Sequence, residues 1–585
     1  MPNRFCLFSL FLILFSLSHA LTPPSPLHCD HHGCTLLNSY GAWPDRASCH
    51  ALNVTYPTTE QELLLAVAYA NRNNLKAKVV TRFSHTIPKL ACPSPDLNTL
   101  LISTDKYSSG IEIHAANLAV TVDPGVPLRH LIDKVEESGF SVVAAPYWEG
   151  VTVAGLINTG AHGSSWWGNG GAVHDHVIGI SIVVPASKSE GYAKILRLQR
   201  QDPLLNAAKL SLGMLGAISK VKLSIEHRFK RSITYNFTDD ANVEDEYMEH
   251  AKKYEFADIT WYPSKHTAVY RYDSRVPLNV SGDGVNDFIG FQPNPILASN
   301  LVREIEKLQE NTRDVNGKCA TAATTIAYKK LMKNGLKQNG VIFTSYPVVG
   351  YQGKMQTSGS CLYSTRIDTA CAWDPRIKGL FFYESTAIFS ASTFGDFVRD
   401  VKKLRDLNPQ NFCGVDIYNG FLIRFIKASN AYLGQSQDSV AVDFNYYRSD
   451  DPSSPRLNQD VLEEVEQMAF FKYGAKPHWA KNRNVAFLGV QNKYPKFKEF
   501  IAAKQQLDPH NIFSSKWSDD LVYGKEGEKV DGCALEGLCI CTQDRHCSPQ
   551  KQYFCSEGLV YKEARVCRYT PPGSDAFVQR GHTHT

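Results

Sequence analysis

The sequence predicts an α+β fold of two principal parts followed by a short disulfide-rich tail. Three observations carry that prediction. Up to about residue 230, short apolar strands alternate closely with amphipathic helices. From Arg231 onward the extended segments become β-rich and aromatic, the pattern of an antiparallel sheet with helices on one face. After Gly524, six of the chain's fifteen cysteines (Cys533, Cys539, Cys541, Cys547, Cys555 and Cys567) crowd into a polar tail too short for a core of its own. The expected boundaries are 1–20 for a leader, 21–230 and 231–523 for two domains, and 524–585 for the tail.

The elements follow in order. Arg4, the apolar run Phe5 to Leu17 and the small-x-small site Ser18-His19-Ala20 read as a secretory leader that is removed from the mature chain. Pro23, Pro24 and Pro26 stiffen the next stretch, and Cys29 and Cys34 are close enough to bridge locally. Thr59 to Asn73 carries Leu63, Val67 and Ala70 at helical spacing, with Thr59 and Glu62 set as a capping box. Strands are expected at Lys78 to Thr81, Leu100 to Ser103, Ile111 to Ile113, Ala119 to Val122 and Ser141 to Ala144. A helix from Leu128 to Ser138 stops at Gly139. Gly179 to Val184 is a continuous apolar strand, Asn206 to Leu212 a helix, and Ile218 to Ile225 an alternating strand. In the second part, strands are expected at Asp258 to Tyr262, Thr267 to Tyr272, Val341 to Ser345, Gly379 to Ser385 and Val440 to Tyr447. Amphipathic helices are expected at Thr393 to Leu407 and Gln459 to Phe471.

Composition narrows the function. Over 585 residues, 43% hydrophobic and 21% charged, the net charge is only +4. No dense basic run interleaves with aromatics, so nucleic acid is not an expected partner. No apolar stretch is long enough for a transmembrane helix. A secreted chain folds under oxidising conditions, and fifteen cysteines less Cys6 leave an even fourteen, so disulfides are expected. No pair of C-x-x-C units marks a zinc knuckle, and no metal is expected. Sequons at Asn53, Asn236 and Asn279 fit a secreted glycoprotein.

Chemistry concentrates in four motifs. In Val151 to Gly163, V-T-V-A-G-L-I-N-T-G-A-H-G, the glycines Gly155, Gly160 and Gly163 and the small Ala154 and Ala161 strip side chains from the backbone. Such a segment lets a large flat group approach, with peptide N–H groups free to cradle phosphate; a tight turn with close strand packing is the alternative. A Rossmann site would need G-x-G-x-x-G opening a long helix, which Gly160-Ala161-His162-Gly163 does not give. The other motifs are Val79-Val80-Thr81-Arg82-Phe83-Ser84-His85, Leu212-Gly213-Met214-Leu215-Gly216 and His478-Trp479-Ala480-Lys481.

Together these four resemble the flavoproteins of the vanillyl-alcohol oxidase superfamily. Within it they are similar to the aldonolactone oxidoreductases, and most of all to plant L-gulonolactone oxidase-like proteins, over roughly Pro44 to Tyr523. The resemblance implies a PCMH-type domain that holds FAD between two subdomains, with Gly155, Gly160, Ala161, His162, Gly163, Gly213 and Gly216 at the cofactor. It implies a second, cap domain that forms the substrate pocket. His85 matches the family histidine that can bond covalently to FAD, although Thr81, Arg82 and Phe83 stand where animal relatives have a glycine triplet. An ordinary polar loop histidine is the alternative there, and His162 is expected to position its loop by hydrogen bonds.

The H-W-x-K quartet implies catalytic roles for His478 and Lys481, the lysine cation stabilising charge that develops during hydride transfer. The family's Glu-x-Arg pair aligns with Leu422 and Arg424, so a carboxylate is missing from the face that holds Arg424. Glu384 is a candidate replacement. The implied activity is a secreted FAD-dependent oxidase that converts an aldonolactone such as L-gulono-1,4-lactone to ascorbate or its precursor and O2 to peroxide. A secreted oxidase of another sugar or alcohol, or a flavin-fold cell-wall protein with little turnover, are the alternatives. They are motivated by Leu422 and by the cysteine-rich tail respectively.

Overall fold

The computed structural model describes residues 27–36, 49–81, 88–92, 98–364, 366–372, 382–481, 483–525, 527 and 529–573. Strands β1 (Asn53–Thr55), β2 (Lys76–Val80) and β3 (Thr99–Ser103) form a parallel sheet in the order β1-β3-β2. Helix α1 (Glu60–Arg72) buries Leu63, Val67 and Ala70 in the core that also holds Leu100 and Ile102. The Thr59 hydroxyl caps it, accepting the Glu62 N–H at 3.2 Å. The Glu62 carboxylate reaches back to the Thr58 N–H at 2.7 Å, one residue earlier than a capping box requires.

A second, antiparallel sheet follows, built from β4 (Ile111–His114), β5 (Ala119–Val122), β6 (Val177–Pro185), β7 (Ala193–Gln199) and β8 (Ala217–Ser224). Its order is β7-β6-β8-β5-β4. Between β5 and β6 lie α2 (Leu128–Glu137) and α3 (Val153–Asn158), the latter inside the glycine-rich segment. The sequence reading does not anticipate β7. The strand expected at Ser141 to Ala144 pairs only over Phe140–Ser141. Beyond it the Val142 and Val143 carbonyls accept the Gln352 side-chain amide at 3.2 and 2.9 Å, so side chains replace a ladder there. The helix expected at Asn206 to Leu212 begins earlier, as α4 (Pro203–Ala208), with Pro203 in its first turn.

The second part is organised on an eight-stranded antiparallel sheet. Its strands are β9 (Lys230–Asp239), β10 (Asp258–Tyr262), β11 (Thr267–Val276), β12 (Val348–Tyr351), β13 (Phe382–Ser390), β14 (Phe421–Ile426), β15 (Ser439–Tyr447) and β16 (Lys476–Pro477). The order is β12-β9-β11-β10-β14-β15-β13-β16. Alternation sorts the side chains. Trp261, Phe421, Ile423 and Phe444 enter the main core, with Tyr247 from α5 (Val243–Lys253) and Phe397 and Val401 from α8 (Phe394–Leu407). Between these helices in the chain lie α6 (Ile296–Asn311) and α7 (Val315–Leu331). The opposite face of the sheet is charged, and the candidate site is built on it.

No strand forms at the expected Val341 to Ser345. The Val341 N–H bonds to the Gln338 carbonyl at 2.9 Å and the Gln338 N–H to the Ile342 carbonyl at 3.2 Å, closing a turn that leaves Val341 and Ile342 exposed. Helix α9 (Gln459–Gln467) continues as a π-helical turn over Met468–Lys472.

All fourteen cysteines in the described residues are paired. The bridges are Cys29–Cys34, Cys49–Cys92, Cys319–Cys413, Cys361–Cys371, Cys533–Cys539, Cys541–Cys555 and Cys547–Cys567. The last three staple the tail, whose small core is made of the cysteines with Ala534, Leu535 and Tyr553. No helix among the described residues is long and apolar enough to cross a membrane.

Candidate active site

The glycine-rich segment docks directly on β14, some 260 residues away in the chain. The Ser165 N–H bonds to the Phe425 carbonyl at 2.8 Å, and the Phe425 N–H to the Ser164 hydroxyl at 2.9 Å. Gly163 needs its missing side chain because a Cβ there would lie 2.7 Å from the Ala145 carbonyl oxygen. At Gly216 a Cβ would lie 2.5 Å from the Val183 carbonyl, so strand packing accounts for that glycine. Gly213, at φ +63°, turns the chain, and the Leu212 N–H bonds to the Asn158 carbonyl at the end of α3. Gly155 lies within α3, and half-buried Ala161 packs at the margin of the main core. His85 lies outside the described residues.

The structure brings His162, Arg424, His478 and Lys481 together. The rings of His162 and His478 lie 5.3 Å apart. The Arg424 Nη1–H donates to the His162 carbonyl at 3.2 Å, and its Nη2 pairs with Asp443. Lys481 Nζ lies 3.1 Å from Asp443 and 2.5 Å from Glu384. The Thr386 hydroxyl also donates to Asp443. Trp479 anchors the quartet, its indole N–H donating to the Leu433 carbonyl at 3.0 Å.

Register explains this convergence. Asp443 is the direct cross-strand partner of Leu422 on one side and of Thr386 on the other, and such partners share a face. The carboxylate absent from position 422 is therefore present on the same face, supplied by the next strand. Glu384 lies one step along β13, opposite Asn445. The charges continue across the sheet with alternating sign: Arg424 is the register partner of Asp258, which pairs with Arg271 at 3.3 Å. Arg271 in turn pairs with Asp273 at 2.7 Å, and Asp273 with Arg231 at 2.5 Å. The Tyr147 hydroxyl, from the loop before the glycine-rich segment, donates to Asp258 at 2.5 Å.

Environment divides the titratable groups. Burial, then the neighbouring Arg424 cation, holds the His162 pKa well below that of an ordinary histidine. Burial and Lys481 do the same for His478. Both shifts favour the neutral ring. The His162 Nδ1–H faces the Gly163 carbonyl at 2.8 Å, which can only accept, so Nε2 carries the lone pair; that atom is buried and has no partner among the described residues. Burial raises the Glu384 carboxyl above the usual carboxylate range, an effect only partly offset by Lys481. Burial acts on Asp443 too, but the Arg424 and Lys481 cations outweigh it and hold its carboxyl below that range. Two carboxylates on one lysine thus have opposite proton affinities, the arrangement that separates a proton carrier from a fixed charge.

Two clefts flank the glycine-rich segment. One is lined by Thr159, Gly160, His162, Leu433, His478 and Trp479. The other runs past Ala145, Tyr147 and Gly163 toward Arg231 and Arg275. Small residues line both clefts, and His162, whose Nε2 is orphaned, lines the first. The orphaned Glu384 Oε2 and Arg424 Nε belong to the charged cluster of the sheet. Such small linings and unpaired polar groups suit a polar cofactor and a hydroxylated ligand.

Comparison with known proteins decides the family. The family model for an FAD binding domain matches residues 51–188, and that for D-arabinono-1,4-lactone oxidase matches 398–521. A third, described as an L-gulonolactone oxidase 2-like C-terminal domain, matches the tail at 530–569. The chain is 64% identical over 574 residues to L-gulonolactone oxidase 3 of Arabidopsis thaliana, covering 97% of this chain and 98% of that protein. It belongs to the L-gulonolactone oxidase family. L-gulonolactone oxidase 2 of the same plant is 46% identical, with 95% of each chain covered, and the Bos taurus L-gulonolactone oxidase is 22% identical over 82% of this chain and 97% of its own. Among solved structures, a cholesterol oxidase from Brevibacterium sterolicum superposes with TM-score 0.61 at 14% identity, covering 86% of this chain and all of that one, which speaks for the fold.

This family member is an FAD-dependent oxidoreductase, as the motifs implied. Sequence reasoning named Lys481, Arg424, His478 and, as a candidate, Glu384, but missed Asp443, Asp258, Arg271 and Tyr147. The available signal for Asp443 was a lone acid in the apolar and aromatic run V-A-V-D-F-N-Y.

Proposed function

We propose that this enzyme oxidises a sugar-derived lactone, with L-gulono-1,4-lactone as the reference substrate, ascorbate or its precursor as product and O2 reduced to peroxide. The observation that carries this reading is the Arg424–Asp443–Lys481–Glu384 cluster beside His162, in a chain 64% identical to a protein named for that activity. Bound FAD supplies the two-electron acceptor. The backbone of Gly160 to Gly163 would hold it, with His85 as its covalent anchor. Lys481 keeps a cation beside the reacting groups, where it favours developing negative charge. Asp443 holds Arg424 and Lys481 in register. Arg424, with both terminal nitrogens engaged, offers its Nε–H to a substrate oxygen, and Glu384 takes the hydroxyl proton at Oε2 as the carbinol carbon loses hydride.

Anaerobic mixing with a panel of lactones tests the reading: bleaching of the visible flavin absorbance by L-gulono-1,4-lactone supports it. Bleaching only by non-lactone sugars or alcohols establishes instead the reading motivated by Leu422, an oxidase of another substrate. Acid precipitation tests the His85 anchor, since a covalent flavin stays with the pellet.

We also propose that the chain is secreted. The leader at residues 1–20, the sequons and the seven disulfides support this. Mass spectrometry of the native protein under non-reducing conditions should find a start near Leu21, glycans and no free thiol. An intact Met1 or several free thiols would end that reading.

A further inference from the structure

The cysteine-rich tail contacts the back of the candidate site. Cys533–Cys539 closes a small loop, and Leu535, Glu536 and Gly537 within it engage the main body. The Leu535 carbonyl accepts from Arg456 and, at 3.5 Å, from Arg483. The Glu536 carboxylate receives Arg456 at 2.6 Å and Arg448 at 3.4 Å. The Gly537 carbonyl accepts the Val485 N–H at 3.0 Å. Gly537 sits at φ +65°, and a Cβ there would lie 2.6 Å from Arg483 Nε.

These contacts bracket two site residues. Arg483 follows Lys481 by two positions; it is buried, and its guanidinium pairs with Glu466. Glu466 also accepts the Ser385 hydroxyl at 2.5 Å, while Arg456 donates to the Tyr383 hydroxyl at 2.8 Å. Tyr383 and Ser385 flank Glu384 on β13, so their side chains are fixed on the face opposite to the one Glu384 uses. The far side of the tail is bonded to α9, whose Glu464 accepts the Leu559, Val560 and Tyr561 N–H groups at 2.6, 2.6 and 2.8 Å. Glu463 accepts the Cys567 N–H at 2.7 Å.

We propose that the Cys533–Cys539 loop is a positioning brace for Lys481 and Glu384, acting through Arg483 and through the Tyr383–Ser385 pair. The inference rests on the roles proposed above for those two residues. The tail touches neither substrate nor cofactor in this scheme. It holds the two ends of the Lys481–Glu384 contact from behind, so that the cation and the proton acceptor keep their separation.

Gly537→Val tests this, because it drives a side chain into Arg483 and leaves every cysteine in place. The expected result is full FAD content and a fall in the rate of flavin reduction on the order of 10²-fold, the scale of a misplacement of about 1 Å. KM should change little, and the pH at which reduction is half-maximal should move. Amide hydrogen exchange across residues 478–488 should accelerate by about tenfold, a readout independent of turnover. A lower melting temperature with unchanged reduction rate, pH profile and exchange would overturn the brace. Should Gly537→Val fail to fold, Glu536→Gln and Arg483→Lys decide by the same measurements. Lys481→Met separates the two readings. If it leaves reduction intact, the role of Lys481 fails whatever the tail does; if it cripples reduction while the tail variants do not, only the brace fails.

Discussion

The two faces of the eight-stranded sheet are written in alternate residues of the same strands and follow opposite rules. Along β14, Phe421, Ile423 and Phe425 enter an apolar core, while Leu422 and Arg424 face the site. Each large apolar side chain contributes about 1.5–3 kcal/mol by leaving water, and no exact partner is needed. The other face carries buried Arg231, Asp273, Arg271, Asp258, Arg424 and Asp443 with partly buried Glu384 and Lys481. Bringing ions out of water costs several kcal/mol each, and only pairing offsets it. Oppositely charged neighbours, within and between strands and from Lys481, supply that pairing. The apolar face specifies that the sheet folds, while the charged face specifies where a reacting molecule's charge is tolerated.

The largest expected effect breaks the first half of that contrast. Phe444→Ala should lower stability by about 3–5 kcal/mol, as large core truncations do. The enzyme that remains folded should keep its kinetics, measured by denaturant unfolding alongside turnover. A large loss of turnover in the folded fraction would show that the faces are not separable.

Lys481→Met addresses the second half. Turnover should fall on the order of 10²–10³-fold, the scale for removing one preorganised donor. FAD content and melting temperature should change little, because Asp443 keeps Arg424 and Thr386. Full turnover would reduce the H-W-x-K quartet to packing.

Acid sharpens the comparison through the buried histidines. His250, at 5.0 Å from Tyr270 by ring centroids, has its pKa lowered to about 4 by burial. His162 and His478 are lowered too. A histidine with a depressed folded-state pKa contributes stability that is fully present above its unfolded value of about 6.5 and is lost as pH falls toward the folded value. Stability should therefore decline between about pH 6.5 and 4, by about 1.4 kcal/mol per pH unit for each such group. His250→Phe should flatten that slope in thermal melts across pH; an unchanged slope would assign the acid response to the other buried histidines, His162, His478, His174 and His176.

The smallest effect is expected at Leu422. Leu422→Glu places a second carboxylate directly across from Asp443, and like charges in that position destabilise by up to about 1 kcal/mol. It should not raise lactone turnover, because the face already has its carboxylate. A gain would mean that Asp443 does not substitute for the family's glutamate.

Much of this was legible in the chain. Period-2 alternation in F-L-I-R-F put Leu422 and Arg424 on one face, and the even number of cysteines outside the leader anticipated complete pairing. Elements governed by tertiary context were harder. In α6 the usual pattern is inverted: Leu297, Leu301 and Leu308 are exposed, while Arg303 and Glu306 are buried against partners elsewhere. Val341 to Ser345 has strand-forming residues, yet a turn takes its hydrogen bonds.

The glycine-rich and H-W-x-K motifs, the order of most strands and helices, and the residue types available for chemistry were all readable from the chain alone, because each depends on local spacing. That Asp443 lies opposite Leu422, that His162 meets His478 and that the tail reaches Arg483 emerge from the folded chain. Those facts depend on strand register and on the docking of segments far apart in the chain, and no local propensity encodes either.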